Sequence, residues 1–285
     1  MPELPEVETI RRQLAKTLQG AEFVSVRELE YSMLRDCRPE QLKSWLPGAK
    51  VSSTERVGKF ILLELKPGGS SSFVFYLTIH LGMTGQLLIN PRDPGKHVRF
   101  VFEMRGREGE PICLQFRDMR KFGRLHLTVG TPAPRLALLG PDAWVGEWDA
   151  GYLARELCGR RASLKAFLLD QRHLSGIGNI YSDEILWWSR LCPLRSCGSL
   201  SSDEIVRLAQ EIRRILGEGV RLLGCSISDF VDTQGSSGEF QKWLRVYGRQ
   251  GKKCFRCGAR LVRAVVSGRG TIYCPECQPK NASPE

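Results

Sequence analysis

The sequence predicts an α+β fold: short antiparallel strands with flanking helices in the N-terminal half, a helical half after it, and a metal-held β-hairpin near the end. Three observations predict this. Strand-like apolar runs crowd residues 23–129, and the apolar period turns helical from Asp149 onward. Cys254, Cys257, Cys274 and Cys277 then form C-x2-C, a spacer of sixteen residues and a second C-x2-C, which is zinc-ribbon spacing. A chain of 285 residues has room for two domains, each with its own core.

Taken in order, Val7, Ile10, Leu14 and Leu18 fall on one helical face, and Gly20 is placed to end that helix. A strand at residues 23–29 and a short helix at 39–46 follow. Strand-like runs then occupy residues 60–65, 73–81, 86–89, 98–102, 112–116 and 125–129. Pro67-Gly68-Gly69 with its serines, and the segment 105–111, mark hairpin turns. Leu125, Leu127 and Val129 alternate with Arg124, His126 and Thr128, as in a half-buried strand. This half reads as an antiparallel sandwich or barrel.

The proline-bearing stretch 131–148 reads as a connector. Asp149 is expected to cap a helix ending at Leu157, Ser163 one ending at Leu169, and Asn179 one running to about Arg190. Ser201 and Glu204 have capping-box spacing ahead of a long helix to about Leu223. Residues 231–241, VDTQGSSGEFQ, have no periodicity and read as a flexible loop. The residues after Cys277 read as a tail.

The net charge of +11 calls for a polyanionic partner, of which nucleic acid is the usual one. No apolar run reaches the ~18 residues of a membrane span, and the first residues carry no signal-peptide core. A cytoplasmic location and no membrane partner are therefore expected. Ten cysteines are present. Apart from the zinc set, Cys37, Cys113, Cys158, Cys192, Cys197 and Cys225 read as small apolar side chains in a reducing compartment.

The first eight residues, MPELPEVE, carry the chemistry. Removal of Met1 leaves Pro2 with a free secondary amine, and an α-amino group titrates near ~8 against ~10.4 for lysine. Such an amine is a nucleophile at neutral pH, and attack on a sugar C1′ gives an iminium. Glu3 beside it and Glu6 one turn on are carboxylates able to move a proton. The same acids, with Pro5, also suit the positive end of a helix. In LSGIGNIYSDEI (residues 174–185) two glycines precede a helix start at Asn179, a place where backbone N–H groups grip phosphate. HLGMTGQ (80–86) sets Met83 in a glycine-flanked turn, and RDMRKFG (117–123) joins a basic pair to an aromatic ring. Lys59 precedes a buried strand. A tetrathiolate site has no open coordination position, so its metal is structural, and its hairpin can present Arg269 as a phosphate clamp.

In their order along nearly the whole chain, these motifs resemble the bacterial formamidopyrimidine-DNA glycosylase (Fpg) family. The resemblance implies an N-terminal antiparallel β-sandwich with flanking helices, a C-terminal helix-two-turn-helix domain and a zinc-ribbon β-hairpin. The expected division is a catalytic domain at 1–131, a linker at 132–148, a helical DNA-binding domain at 149–249, a zinc finger at 250–278 and a tail at 279–285. It also implies a monomeric bifunctional DNA glycosylase and AP lyase that excises 8-oxoguanine and formamidopyrimidines from duplex DNA in base excision repair, located on the nucleoid and holding one structural Zn2+.

By the same resemblance Pro2 is the nucleophile, Glu3 the acid, and Lys59 and Arg269 assist elimination. Met83, Arg120 and Phe122 fill the gap left by the everted nucleotide. Lys121, Asn179, His80, His97 and the Arg160–Arg161 pair meet the DNA backbone. Thr233, Ser236, Ser237, Gly238 and Lys165 lie at the base pocket. Thr84 stands where serine is common, the hairpin at 70–72 is long, and a tail follows Cys277. The sister endonuclease VIII group shares Pro2 and Glu3 but prefers oxidised pyrimidines; Leu4, Val7 and the full wedge set favour the purine group. A catalytically silent damage-binding module is the alternative of another class, and retained Met1 is its sign.

Overall fold

The computed structural model describes residues 1–27, 30–68, 73–93 and 95–280. The expected strand end at 28–29, the hairpin turn at 69–72 and the end of the tail lie outside them. The chain groups into two compact units, Met1–Leu138 with Val220–Gln241, and Leu139–Gly219 with Lys242–Glu285. The linear division of the sequence puts 220–241 in the helical domain, but this stretch groups with the first unit.

In the first unit, α1 (Leu4–Leu18) buries Val7, Ile10, Leu14 and Leu18 completely, and Gly20 follows at φ +79, a left-handed value that suits glycine after a helix. Then come β1 (Glu22–Arg27), β2 (Leu34–Arg35), α2 (Pro39–Trp45), β3 (Lys50–Val57), β4 (Phe60–Lys66), β5 (Phe75–His80), β6 (Gly85–Ile89), β7 (Val98–Arg105), β8 (Pro111–Asp118) and β9 (Arg124–Val129). They form a nine-stranded sheet in the order β2-β9-β5-β4-β3-β1-β7-β8-β6. Among the described residues, every pairing in this sheet is antiparallel except β2 with β9. The register of β1 on β3 is the single pair Glu22↔Lys50, so the sheet divides there into two halves. Both halves, with α1, feed one core: Ile61, Leu63, Leu77, Ile79, Leu125 and Leu127 from one, Phe23, Phe100, Phe102, Leu114 and Phe116 from the other. Their period of two is what a sheet with one buried face requires.

In the second unit, the helices are α3 (Ala150–Leu157), α4 (Leu164–Leu169), α5 (Asn179–Trp188) and α6 (Ser202–Arg221), whose last residues group with the first unit. Asp149 accepts from the Tyr152 N–H at 2.7 Å and Ser163 from the Ala166 N–H at 3.3 Å, as caps should. Ser201 and Glu204 make the reciprocal capping box, at 3.3 Å and 2.9 Å. The residue capping α5 is Gly178, with Asn179 inside the first turn. The later part of the connector is not slack, because the Arg213 guanidinium donates to the carbonyls of Trp144, Gly146 and Trp148. The hairpin β10 (Val262–Val266) and β11 (Arg269–Tyr273) turns through Ser267 and Gly268, at φ +49 and +73, the two positive values of a tight hairpin turn. No helix among the described residues is long and apolar enough to cross a membrane.

Candidate functional site

Pro2 and Glu3 are buried at the start of α1. Glu6 holds this start in place. One of its oxygens accepts the Glu3 backbone N–H at 2.7 Å and the other accepts the Cys225 N–H at 2.7 Å. Glu6 is thus a bridge from the helix start to residue 225, with both oxygens engaged. Gly224 makes room for it, since a Cβ there would lie 2.9 Å from the Glu6 side chain. One turn further, Glu8 pairs with Arg11, Arg12 and Arg56 at 2.6, 2.8 and 3.1 Å. Burial alone would push this carboxyl up, but the three guanidiniums hold it below the usual carboxylate range. Arg56 also donates to the Gly58 carbonyl at 3.0 Å. It thereby ties the Gly58-Lys59 turn between β3 and β4 to α1. Lys59 is buried in that turn.

The ring of His80, at the end of β5, lies 4.6 Å from that of Phe60. Its Nδ1 accepts the Gly82 N–H at 3.1 Å, which leaves the proton on Nε2. Removal from water, then the positive charges of Lys59, Arg135 and Arg124, push its pKa down to about 4, so His80 is neutral at physiological pH.

Met83, Arg120 and Phe122 come together. Gly82, at φ +65, backs onto the Phe122–Gly123 peptide so closely that a Cβ would sit 2.5 Å from the Phe122 carbonyl carbon. The side chains beyond this contact point outward: Met83 is 39% and Phe122 46% exposed, with the Arg120 guanidinium 4.7 Å from the Phe122 ring centre. Buried Asp118 organises the whole patch. One oxygen accepts the Arg120 N–H at 3.1 Å and the Thr84 hydroxyl, and the other accepts the Gly123 N–H at 2.7 Å. Asp118→Ala strands these donors, and bonds to a charged acceptor are worth more than neutral ones. We expect a loss of ~2–4 kcal/mol in thermal unfolding, with slowed excision from duplex DNA measured beside it.

Lys121, expected at a phosphate, is paired with Glu30 at 2.6 Å. His97 is exposed, and its carbonyl accepts the Asp118 N–H at 3.0 Å. His126 is buried and bonds Asp36 at 2.6 Å, while Val129 is exposed, so β9 departs from simple alternation. The segment read as a flexible loop is built into the fold. Thr233 is buried with its carbonyl on the Ile89 N–H at 2.8 Å, Gly238 donates to Ser226 at 2.9 Å, and Ser236 and Ser237 stay exposed. A cavity of about 890 Å³ lies beside it, lined by Gln13, Lys16, Arg92, Arg117 and Gln234 among others, and not by Pro2, Glu3 or Lys59.

In the second unit the Asn179 amide donates to the Gly270 carbonyl at 3.2 Å, which places it beside the exposed Arg269. Arg160 is exposed and bonded to Glu156. Lys165, expected at the base pocket, is instead fully buried and paired with Asp183. A buried ammonium demands such a partner. Asp183 also accepts from the Thr271 hydroxyl and from the Ile272 N–H, the latter at 3.1 Å. Glu184 accepts the N–H groups of Arg245, Val246 and Tyr247, each at 2.9 Å, and burial lifts its carboxyl to about 7. Cys254, Cys257, Cys274 and Cys277 bring their sulfurs within 4.8 Å of one another. Two of the spacings are 3.9 and 3.5 Å, close to the ~3.8 Å edge of a tetrahedron with Zn–S bonds of ~2.3 Å. The N–H groups of Arg256 and Cys277 point at sulfurs from 3.4 Å. The set fits a closed structural zinc.

Residues 1–125 match the family model of the formamidopyrimidine-DNA glycosylase N-terminal domain, 139–231 that of its H2TH domain and 251–280 that of the zinc finger found in FPG and IleRS. The formamidopyrimidine-DNA glycosylase of Geobacillus kaustophilus is 41% identical over 286 residues, covering 98% of this chain and 100% of the relative. The chain belongs to the formamidopyrimidine-DNA glycosylase family. The Carboxydothermus hydrogenoformans member is 38% identical over 280 residues, again 98% and 100% of the two chains. A Lactococcus lactis FPG variant crystallised with DNA containing Fapy-dG superposes with a TM-score of 0.86 at 33% identity, over 98% of this chain and 100% of that one. Within this family member, Asp118, Asp183 and Glu184 are the anchors that sequence reading passed over. Each is a buried acid whose partners are backbone groups or side chains outside its own motif.

Proposed function

We propose that this family member is a bifunctional DNA glycosylase and AP lyase that removes oxidised purines from duplex DNA in base excision repair. The observation that carries the reading is the Pro2-Glu3 pair buried at the head of α1 and held there by Glu6. With Met1 removed, the Pro2 nitrogen attacks C1′ and the damaged base leaves with the bonding electrons. Glu3 protonates the ring oxygen as the sugar opens to the iminium. The iminium acidifies the C2′ proton, β-elimination breaks the 3′ C–O bond, and δ-elimination, with Lys59 or Arg269 assisting, breaks the 5′ one. A gap with phosphates on both sides results.

Flipping costs a few kcal/mol, offset as Met83, Arg120 and Phe122 fill the space. Asn179, Arg269, His80, His97, Lys121 and Arg160 are assigned to phosphates, Lys121 exchanging Glu30 for DNA. Ser236 and Ser237, exposed at the tip, are assigned to the everted base, while Thr233 and Gly238, buried and bonded within the fold, hold the loop that carries them. Glu6 positions rather than reacts. The site of action is the cytoplasm, on the nucleoid.

The test is borohydride trapping on a duplex with 8-oxoguanine opposite cytosine, beside a duplex with an oxidised pyrimidine. The expected adduct forms mainly on the first and maps to Pro2. Trapping mainly on the second reassigns the lesion class, and binding with no adduct on either removes the enzyme reading.

A further inference from the structure

The loop that follows α6 is fastened to the same helix that carries the reacting residues. Glu6 fixes its start through the Cys225 N–H. Two turns further along α1, both ends of the Gln13 amide engage the other arm. Its Nε2 donates to Asp232 Oδ2 at 2.8 Å, and its Oε1 accepts both the N–H and the hydroxyl of Thr233 at 2.9 Å. Asp232 then shapes the tip, since its other oxygen accepts the N–H groups of Gln234 and Ser236 at 2.9 and 2.8 Å. Ser236 and Ser237 are left exposed beyond this frame.

We infer that Gln13 is a positioning residue for lesion recognition: it holds the 232–236 turn on α1 in the form that receives the everted base. This rests on the assignment of that loop to the base. A loop ordered before binding does not charge its ordering entropy to the substrate. The benefit reaches only substrates that have a base to hold. An abasic site has none, so its cleavage does not draw on Gln13.

The polarity of the clamp supplies the test. Gln13→Glu keeps the acceptor for Thr233 but sets a carboxylate against Asp232. Adding Asp232→Asn reverses donor and acceptor across the same pair, and the asparagine oxygen still serves Gln234 and Ser236. Steady-state rates are measured on an 8-oxoguanine duplex and on an abasic duplex for wild type, single and double variants. We expect kcat/KM on 8-oxoguanine to fall about tenfold or more in Gln13→Glu, as the lost bond to Asp232 and the like charge set in its place imply. Abasic cleavage should stay within about twofold, and the double variant should recover base excision. An unchanged single variant, an equal loss on both duplexes, or no recovery in the double variant overturns the inference. Failure of the underlying reading shows separately, as a wild type that cleaves abasic DNA but leaves 8-oxoguanine in place.

Discussion

Asp183→Ala is expected to destabilise the second unit by about 3–5 kcal/mol, the cost of leaving a buried charge without its counterion. Lys165 has no exposed side-chain surface, so its ammonium cannot reach water when the carboxylate goes. Burial pushes the Asp183 carboxyl up, and Lys165, Thr271 and Ile272 oppose that rise by donating to the ionised form. The same carboxylate joins α5, which opens with Asn179, to β11, which opens with Arg269. Its loss should therefore also weaken binding to a lesion duplex. Urea unfolding followed by tryptophan fluorescence measures the first effect. The double variant Lys165→Met with Asp183→Leu should recover most of the stability, because an apolar pair of similar volume avoids the desolvation cost. A single variant no less stable than wild type, or a double variant as unstable as the single, would show that the pair is not what holds this region.

The sequence made α1 legible because four apolar residues repeat on one face, and the zinc site legible because ligand spacing is local. The same reasoning passed over β3. Its segment KVSSTERV buries only Val51 and Thr54, and the register slips between Val51 and Ser53. Its place comes from the backbone ladder to β4, which runs from Lys50↔Lys66 to Val57↔Phe60, more than from apolar alternation. Lys165 illustrates a different failure, since a lysine reads as a surface or ligand-binding group until its partner at Asp183 is known. The 231–241 segment read as flexible because the group that pins its tip, Gln13, lies more than two hundred positions away in sequence. Composition predicts whether a loop can be ordered locally; it carries no signal of a clamp supplied by another element.

Glu3→Gln is expected to lower base excision from an 8-oxoguanine duplex by about 10²–10⁴-fold, the usual contribution of a positioned acid, while DNA binding stays near wild type. The substitution is close to isosteric, the residue 3 N–H still reaches Glu6, and a glutamine oxygen can still accept the Glu6 N–H of the capping box, so the helix start should keep its form. What goes is the proton delivered to the ring oxygen when the closed sugar must open. An abasic site exists partly as the ring-opened aldehyde, on which the Pro2 amine can condense without that proton. Borohydride trapping on abasic DNA should accordingly survive in Glu3→Gln far better than base excision does. Pro2 behaves differently: Pro2→Gly removes the secondary amine and should depress trapping on both substrates. Excision and trapping are followed by gel on the two duplexes, with binding measured on an uncleavable analogue. Full excision by Glu3→Gln would remove Glu3 from the chemistry, and equal loss on both substrates would make its part structural. Selective loss at the closed sugar is the result that assigns the proton to this carboxylate.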